Sequence, residues 1–315
     1  MFKGVQINRI RSMGSRFYSL IIFRNPRLIR FWKSVNPRGL FVDIGASYFY
    51  NQNWILATRI AGSTLYLIDP NEKNLEYAEG DKVAAEVVVY PTALSATGGV
   101  KDLFITNVDS GSTMFEPFVS PNLAPRISED VYDYFFPFTK VRIETNRLGD
   151  LIREEDFDRP IVLKIDAQGA EHEILLGASD LLAKKKIVAI ELEASLLSYP
   201  FSAGGTKLSA VQQYLESFGY ELVALKPIYS HGPKRPRRIE NFGYLNECDA
   251  LFVLNHKDLH SCDFEFQKVA FFVLCMYGQF GDALALLRFN NSAITKRLKL
   301  KPGFLRILKL HKNYF

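Results

Sequence analysis

Asp166, Gln168 and Glu171 crowd together directly after an apolar run, Ile161–Ile165, that is broken only by Lys164. A run of that length reads as a buried strand of a parallel sheet, and open α/β sheets gather their ligands at the carboxyl ends of such strands. Unpaired charge is costly to bury, so polar groups on that edge point to a site. Asp166 and Glu171 are candidate catalytic carboxylates, able to take a proton from a hydroxyl under attack. The alternatives are an ion pair of Asp166 with Lys164 and a helix-terminus role for Glu171. His172 is the one histidine within this pattern and a candidate general base, with packing as its alternative. Glu191 and Glu193 end the next apolar run, and one of them is expected to face the pocket.

Two earlier strand ends repeat the design. Leu40–Ile44 carries Asp43 and leads into Gly45 and Ala46, and Thr64–Ile68 leads into Asp69. Gly45-Ala46 reads as a tight turn that lets backbone approach a ligand, with Asp43 holding the turn. An acid at the position of Asp69 can accept hydrogen bonds from both hydroxyls of a ribose, or it can cap the helix that follows Pro70. The elements that must carry these residues alternate. Helices are expected near 50–60, 148–152, after Gly169 and over 207–218. Further strands are expected at 85–90, 100–106, 141–145, 187–192, 221–225 and 250–254, the last two as an antiparallel hairpin. This alternation predicts an α/β protein with a doubly wound, mostly parallel sheet. Residues 107–140, rich in Pro, Phe and Tyr, have the look of a lid or substrate loop.

Together these segments resemble the FkbM family of S-adenosylmethionine-dependent methyltransferases. The family reads roughly V-D-I-G-A-N-x-G at its first strand and K-I-D-V-E-G-A-E at a later one. Here Val42-Asp43-Ile44-Gly45-Ala46 and Lys164-Ile165-Asp166-Ala167-Gln168-Gly169-Ala170-Glu171 stand in those places. Asp69 stands at the family's acidic second-strand end, Ala93-Leu94-Ser95 and Gly111-Ser112-Thr113 are smaller echoes, and the resemblance covers about residues 39–255. It implies a Rossmann-like methyltransferase fold and S-adenosylmethionine as cofactor. Asp43, Gly45 and Ala46 would lie at its methionine end, Asp69 at the ribose, and Ala93 and Leu94 under the adenine. It also implies a hydroxyl acceptor on a glycan or natural product. The chain departs from the pattern at Ser47, Phe49 and Gln168. Phe49, where the family has glycine, is expected to wall the pocket, and Gln168 removes a possible base.

The 315 residues carry a net charge of +5 and an ordinary globular composition. That charge is uneven. Residues 1–40 hold nine Lys/Arg and residues 283–315 hold eight, neither with an acid, which leaves 41–282 at −12. Such a distribution invites an anionic partner, and Phe17–Phe23 beside arginines suits a helix lying on an anionic membrane surface. A basic N-terminal arm (1–38), a methyltransferase domain (39–256) and a basic helical C-terminal extension (257–315) are the expected parts. The basic loop near His231 could grip an acidic substrate group or be a solvated turn. Three cysteines without metal spacing suggest a reducing, cytoplasmic setting, and no metal is expected. No apolar run approaches the ~18 residues of a membrane span. Two other readings stay open: a binding protein that keeps the fold without turnover, and a nucleic-acid methyltransferase. The second lacks a basic face with interleaved aromatics.

Overall fold

The computed structural model describes residues 26–46, 52–80, 86–118, 129–196, 205, 207–230 and 244–289. Ser47, Phe49, Phe17–Phe23, the loop at His231 and most of both basic ends lie outside these residues. Helix α1 (Pro26–Val35) precedes β1 (Leu40–Ile44), α2 (Gln52–Ala61), β2 (Thr64–Ile68), α3 (Glu72–Gly80) and β3 (Glu86–Tyr90). Then come β4 (Ala93–Leu94), β5 (Gly99–Ile105), α4 (Glu129–Phe135), β6 (Thr139–Asn146) and α5 (Leu148–Leu151). The second half runs β7 (Ile161–Ile165), α6 (Glu171–Gly177), α7 (Ser179–Ala183), β8 (Ile187–Ser195) and α8 (Leu208–Ser217). It ends with β9 (Tyr220–Ser230), β10 (Tyr244–Leu254), α9 (His256–Ser261), α10 (Phe264–Met276) and α11 (Phe280–Phe289).

A seven-stranded sheet takes the order β3-β2-β1-β7-β8-β10-β9, and only β10 runs against its neighbours. The chain winds outward from β1 to β3 and then returns to the other side of β1 with β7. That reversal is the switch point at which open sheets leave a crevice. Every residue of β1 and β2 is buried, as continuous apolar strands covered on both faces must be. The expected hairpin is present and longer than its sequence pattern, because β9 and β10 extend to Ser230 and Tyr244.

Two features differ from the sequence expectation. The segments at 100–106 and 141–145 form strands, but these pair in a separate sheet ordered β4-β6-β5. The terminal helices are also part of the core rather than appendages. Residues 266–276 of α10 are all buried, and the ring of Trp32 on α1 lies 4.9 Å from Phe272 and 5.4 Å from Phe271. A helix that is apolar nearly all round belongs inside a protein. Its charged pair, Lys268 and Glu265, closes on itself at 2.6 Å.

At the amino ends of the strands, Asp156 is 1 % exposed and fully engaged. It accepts from Tyr66 (2.7 Å), Arg153 (2.6 Å) and Arg159 (2.5 Å), and Arg159 also donates to the carbonyl of Gly39. This clasp ties β1 and β2 to the segment that enters β7 and leaves the opposite edge for chemistry.

If α1 is core, Trp32→Ala should cost ~3–5 kcal/mol in a urea unfolding series, the range for emptying a buried aromatic site. A loss below ~1 kcal/mol would mark α1 as an external arm.

Candidate active site at the switch point

The strand register aligns three charged residues across the sheet. Asp43 on β1 pairs with Lys164 on β7, and Lys164 pairs with Glu191 on β8. The Lys164 ammonium lies 3.1 Å from Asp43 Oδ1 and 3.5 Å from Asp166 Oδ2. Burial opposes its charge, but Asp43, Asp166 and Glu191 outweigh that penalty and raise its pKa. Asp43, 2 % exposed, has its carboxyl raised by burial even against the pull of Lys164. The ion pair of Asp166 with Lys164 is therefore present, and it lies at the carboxyl edge of the sheet.

Gly45 has φ +77°, and a Cβ there would overlap the carbonyl of Asp166. The nitrogens of Gly45 and Ala46 both donate to the carbonyl of Ile68, and Asp166 donates to the carbonyl of Ile44. The glycine therefore lets the turn after β1 lie against the turn after β7, where Asp166 begins. Ala46 is buried beside it.

The turn after β7 is held from within. Glu171 Oε1 accepts from the nitrogens of Ala167 and Gly169, each at 3.1 Å. Glu171 is thus a clamp of the turn, and burial pushes its carboxyl up to about 7. The clamp holds Gln168 at φ +50°, a conformation uncommon for a non-glycine residue. From there its amide nitrogen donates to Asp166 Oδ1 at 3.3 Å and to Glu193 Oε2 at 3.2 Å.

Residues two apart on a strand share a face, so Glu191 and Glu193 cannot be divided between pocket and core by alternation. They differ in height: Glu191 is level with Lys164, and Glu193 lies beyond it near Asp166. Glu193 is raised well above the ordinary carboxyl range by burial, then by Asp166 and Glu247. Glu247 on β10 is raised to about 7 by burial and by Asp166 and Asp249. Asp166 itself keeps a side chain 41 % exposed.

The segment expected as a lid reaches this edge. Thr113 Oγ1 donates to the carbonyl of Gln168 at 2.7 Å. Tyr134 on α4 feels Asp166, Glu193 and Glu247, and its hydroxyl lies 2.6 Å from Ser110 Oγ. Gly111 leaves room for the Tyr134 ring, since a Cβ there would overlap it. Tyr134 and Glu247 were not legible as site residues: each is distant in sequence and carries no motif.

The remaining candidates divide. Asp69, 8 % exposed, accepts from the nitrogen of Asn71 (2.8 Å) and from Asn74 Nδ2 (3.1 Å) through Oδ1. It therefore does cap the turn before α3, and burial pushes it up to about 6. Its nitrogen donates to the carbonyl of Tyr90, which ties the ends of β2 and β3. Ala93 and Leu94 follow as β4, buried and paired with Thr145 and Asn146. His172 is not brought to the acidic edge. Its ring packs against Tyr214 of α8 at 5.1 Å, and burial lowers its pKa. Among the described residues no group of acids, histidines or cysteines is arranged to hold a metal ion, and no helix is long and apolar enough to cross a membrane.

Compared with known families, residues 43–222 match the Methyltransferase FkbM domain. Compared with curated proteins, the chain has no match. The matched range includes Asp43, Gly45, Asp69, Lys164, Asp166, Glu171 and Glu193, and it ends before Glu247.

The raised carboxyls set the sign of a pH effect. Glu247 titrates near 7 when folded and near 4.5 when unfolded, so its folded form binds the proton more tightly across that window. The stability it contributes is complete below the unfolded value and is lost as pH rises through the folded one. Burial lowers His172 and His260 and pulls the other way, so a variant isolates the carboxyl. Glu247→Gln should gain in Tm over the parent as pH rises from about 5 to about 8. A gap that stays constant with pH would contradict the assignment.

Proposed function

The chain belongs to the FkbM methyltransferase family, and we propose that it transfers a methyl group from S-adenosylmethionine to a hydroxyl oxygen of a glycan or small-molecule acceptor. The residues at the switch point fit that donor. Gly45 provides a turn without a side chain, Asp43 is buried behind it, and an acid stands at the end of β2. Asp69 would accept from the ribose hydroxyls while its Oδ1 keeps the turn before α3. Gly45 and Ala46 would meet the amino-acid end, and Ala93 and Leu94 offer an apolar surface for the base. When bound, the donor supplies a sulfonium-activated methyl group.

The observation that carries the reading is the placement of Asp166. It is a half-exposed carboxylate beside the buried Asp43, Glu171 and Glu191, held by Lys164 on one oxygen and Gln168 on the other. In that position it would accept the acceptor's hydroxyl proton as the new bond forms. Glu193, its carboxyl raised by burial and then by Asp166 and Glu247, lies beside Asp166 and would help orient the acceptor by a hydrogen bond. Tyr134 and Thr113 would close the site from the lid side. Much of the rate would come from alignment, as holding a nucleophile in line removes a large part of the barrier.

Calorimetry with S-adenosylmethionine and S-adenosylhomocysteine tests the donor. Micromolar binding is expected, and Asp69→Ala should weaken it by ~1–3 kcal/mol, the loss for hydrogen bonds to a charged group. No binding of either ligand would overturn the reading. With labelled donor and a panel of sugar and phenol acceptors, Asp166→Asn should keep donor affinity within about threefold and lower turnover by about 100-fold or more. Undiminished turnover would remove Asp166 as the base.

A further inference from the structure

The row of charges does not stop at the site. Beyond Lys164 it continues to Glu191 on β8, which is 4 % exposed, and Glu191 Oε2 accepts a hydrogen bond from the hydroxyl of Tyr277 at 2.9 Å. Tyr277 is 3 % exposed and lies just after α10, far past the end of the family match at residue 222. A polar line therefore runs from the crevice through the core to the C-terminal helices: Asp43, Lys164, Glu191, Tyr277. Apolar residues of similar volume would serve stability at least as well as such a buried ionic row, so its presence asks for another role.

We propose that Tyr277 is a positioning residue for the donor site, acting through Glu191 on Lys164. This rests on the donor reading above and extends it to helices the family match does not contain. Lys164 has several carboxylates within its reach and one ammonium to share. The Tyr277 hydroxyl occupies one oxygen of Glu191, which limits how far Glu191 draws Lys164 away from the site. Lys164 then stays on Asp43 and Asp166, whose backbone is pressed against Gly45. Among the groups that face Glu191 are Lys164 from β7 and Tyr277 after α10. Its register partner on β10, Leu251, is apolar, and Lys268 and Glu265 of α10 pair with each other.

The test is Tyr277→Phe, which keeps the ring and removes only the hydroxyl. Without that donor Glu191 loses a partner and draws Lys164 more strongly from Asp43 and Asp166. S-adenosylhomocysteine binding is measured by calorimetry at about pH 7.5. Tyr277→Phe should weaken binding by about tenfold. Glu191→Gln removes the competing charge, so it should bind within about threefold of the parent, and Tyr277→Phe should have no further effect in that background. Phe272→Leu on α10, packed against Trp32, should lower Tm without weakening binding. If Tyr277→Phe does not fold, Glu191→Gln carries the test alone, and a loss of about tenfold or more there would overturn the inference. A parent that binds normally beside a folded Tyr277→Phe of equal affinity, or a Tyr277→Phe loss that persists unchanged in the Glu191→Gln background, would overturn this inference alone. A parent that binds neither donor nor product would overturn the donor reading, and this inference with it.

Discussion

One ammonium, that of Lys164, sets the arrangement of the crevice. It is largely buried between two strands of the sheet core, and its charge is tolerated because carboxylates on those strands and at the end of its own surround it. Asp43 on β1 and Asp166 at the end of β7 meet at this ammonium, so the two strands that flank the switch point share a counter-ion. The fit of Gly45 against the Asp166 carbonyl depends on the same approach. Removing the charge would take from the buried Asp43 the counter-ion that Lys164 gives it.

The two edges of the sheet use charge differently. At the amino ends, Asp156 is satisfied by Tyr66, Arg153 and Arg159, and nothing in that clasp is left for a ligand to complete. At the carboxyl ends, acids outnumber bases and burial raises Asp43, Asp69, Glu171, Glu193 and Glu247. Groups with raised values resist ionisation, so a donor or acceptor that brings positive charge or hydrogen-bond donors would relieve them. Perturbed carboxyls gathered at the carboxyl edge of an open sheet mark it as a candidate site, in contrast to the satisfied clasp at the other edge.

Much of this was legible in the sequence, for identifiable reasons. Strands β1, β2 and β7 were read to the residue, because buried parallel strands leave nearly continuous apolar runs. The glycine turn and the segment from Lys164 to Glu171 carried the family's pattern. What the pattern could not supply was tertiary. Tyr134 and Glu247 reach the edge through packing across long sequence separations. Glu191 and Glu193 are separated by height along one face, which a period of two does not reveal. Asp69 and Glu171 show the limit of assigning one role to one residue: each carboxylate is spent at least in part on its own turn. The helical character of the C-terminal part was legible, but its basic end drew the reading toward an extension, while the apolar stretch of α10 packs into the core.

The most direct measurement is product binding by Lys164→Met, a side chain of similar length without the charge, with circular dichroism to establish that the variant is folded. S-adenosylhomocysteine binding should fall at least about tenfold while the helical and sheet signals persist, since the ammonium holds the site rather than the sheet. A folded Lys164→Met that binds the product as the parent does would contradict the central claim that this charge organises the crevice.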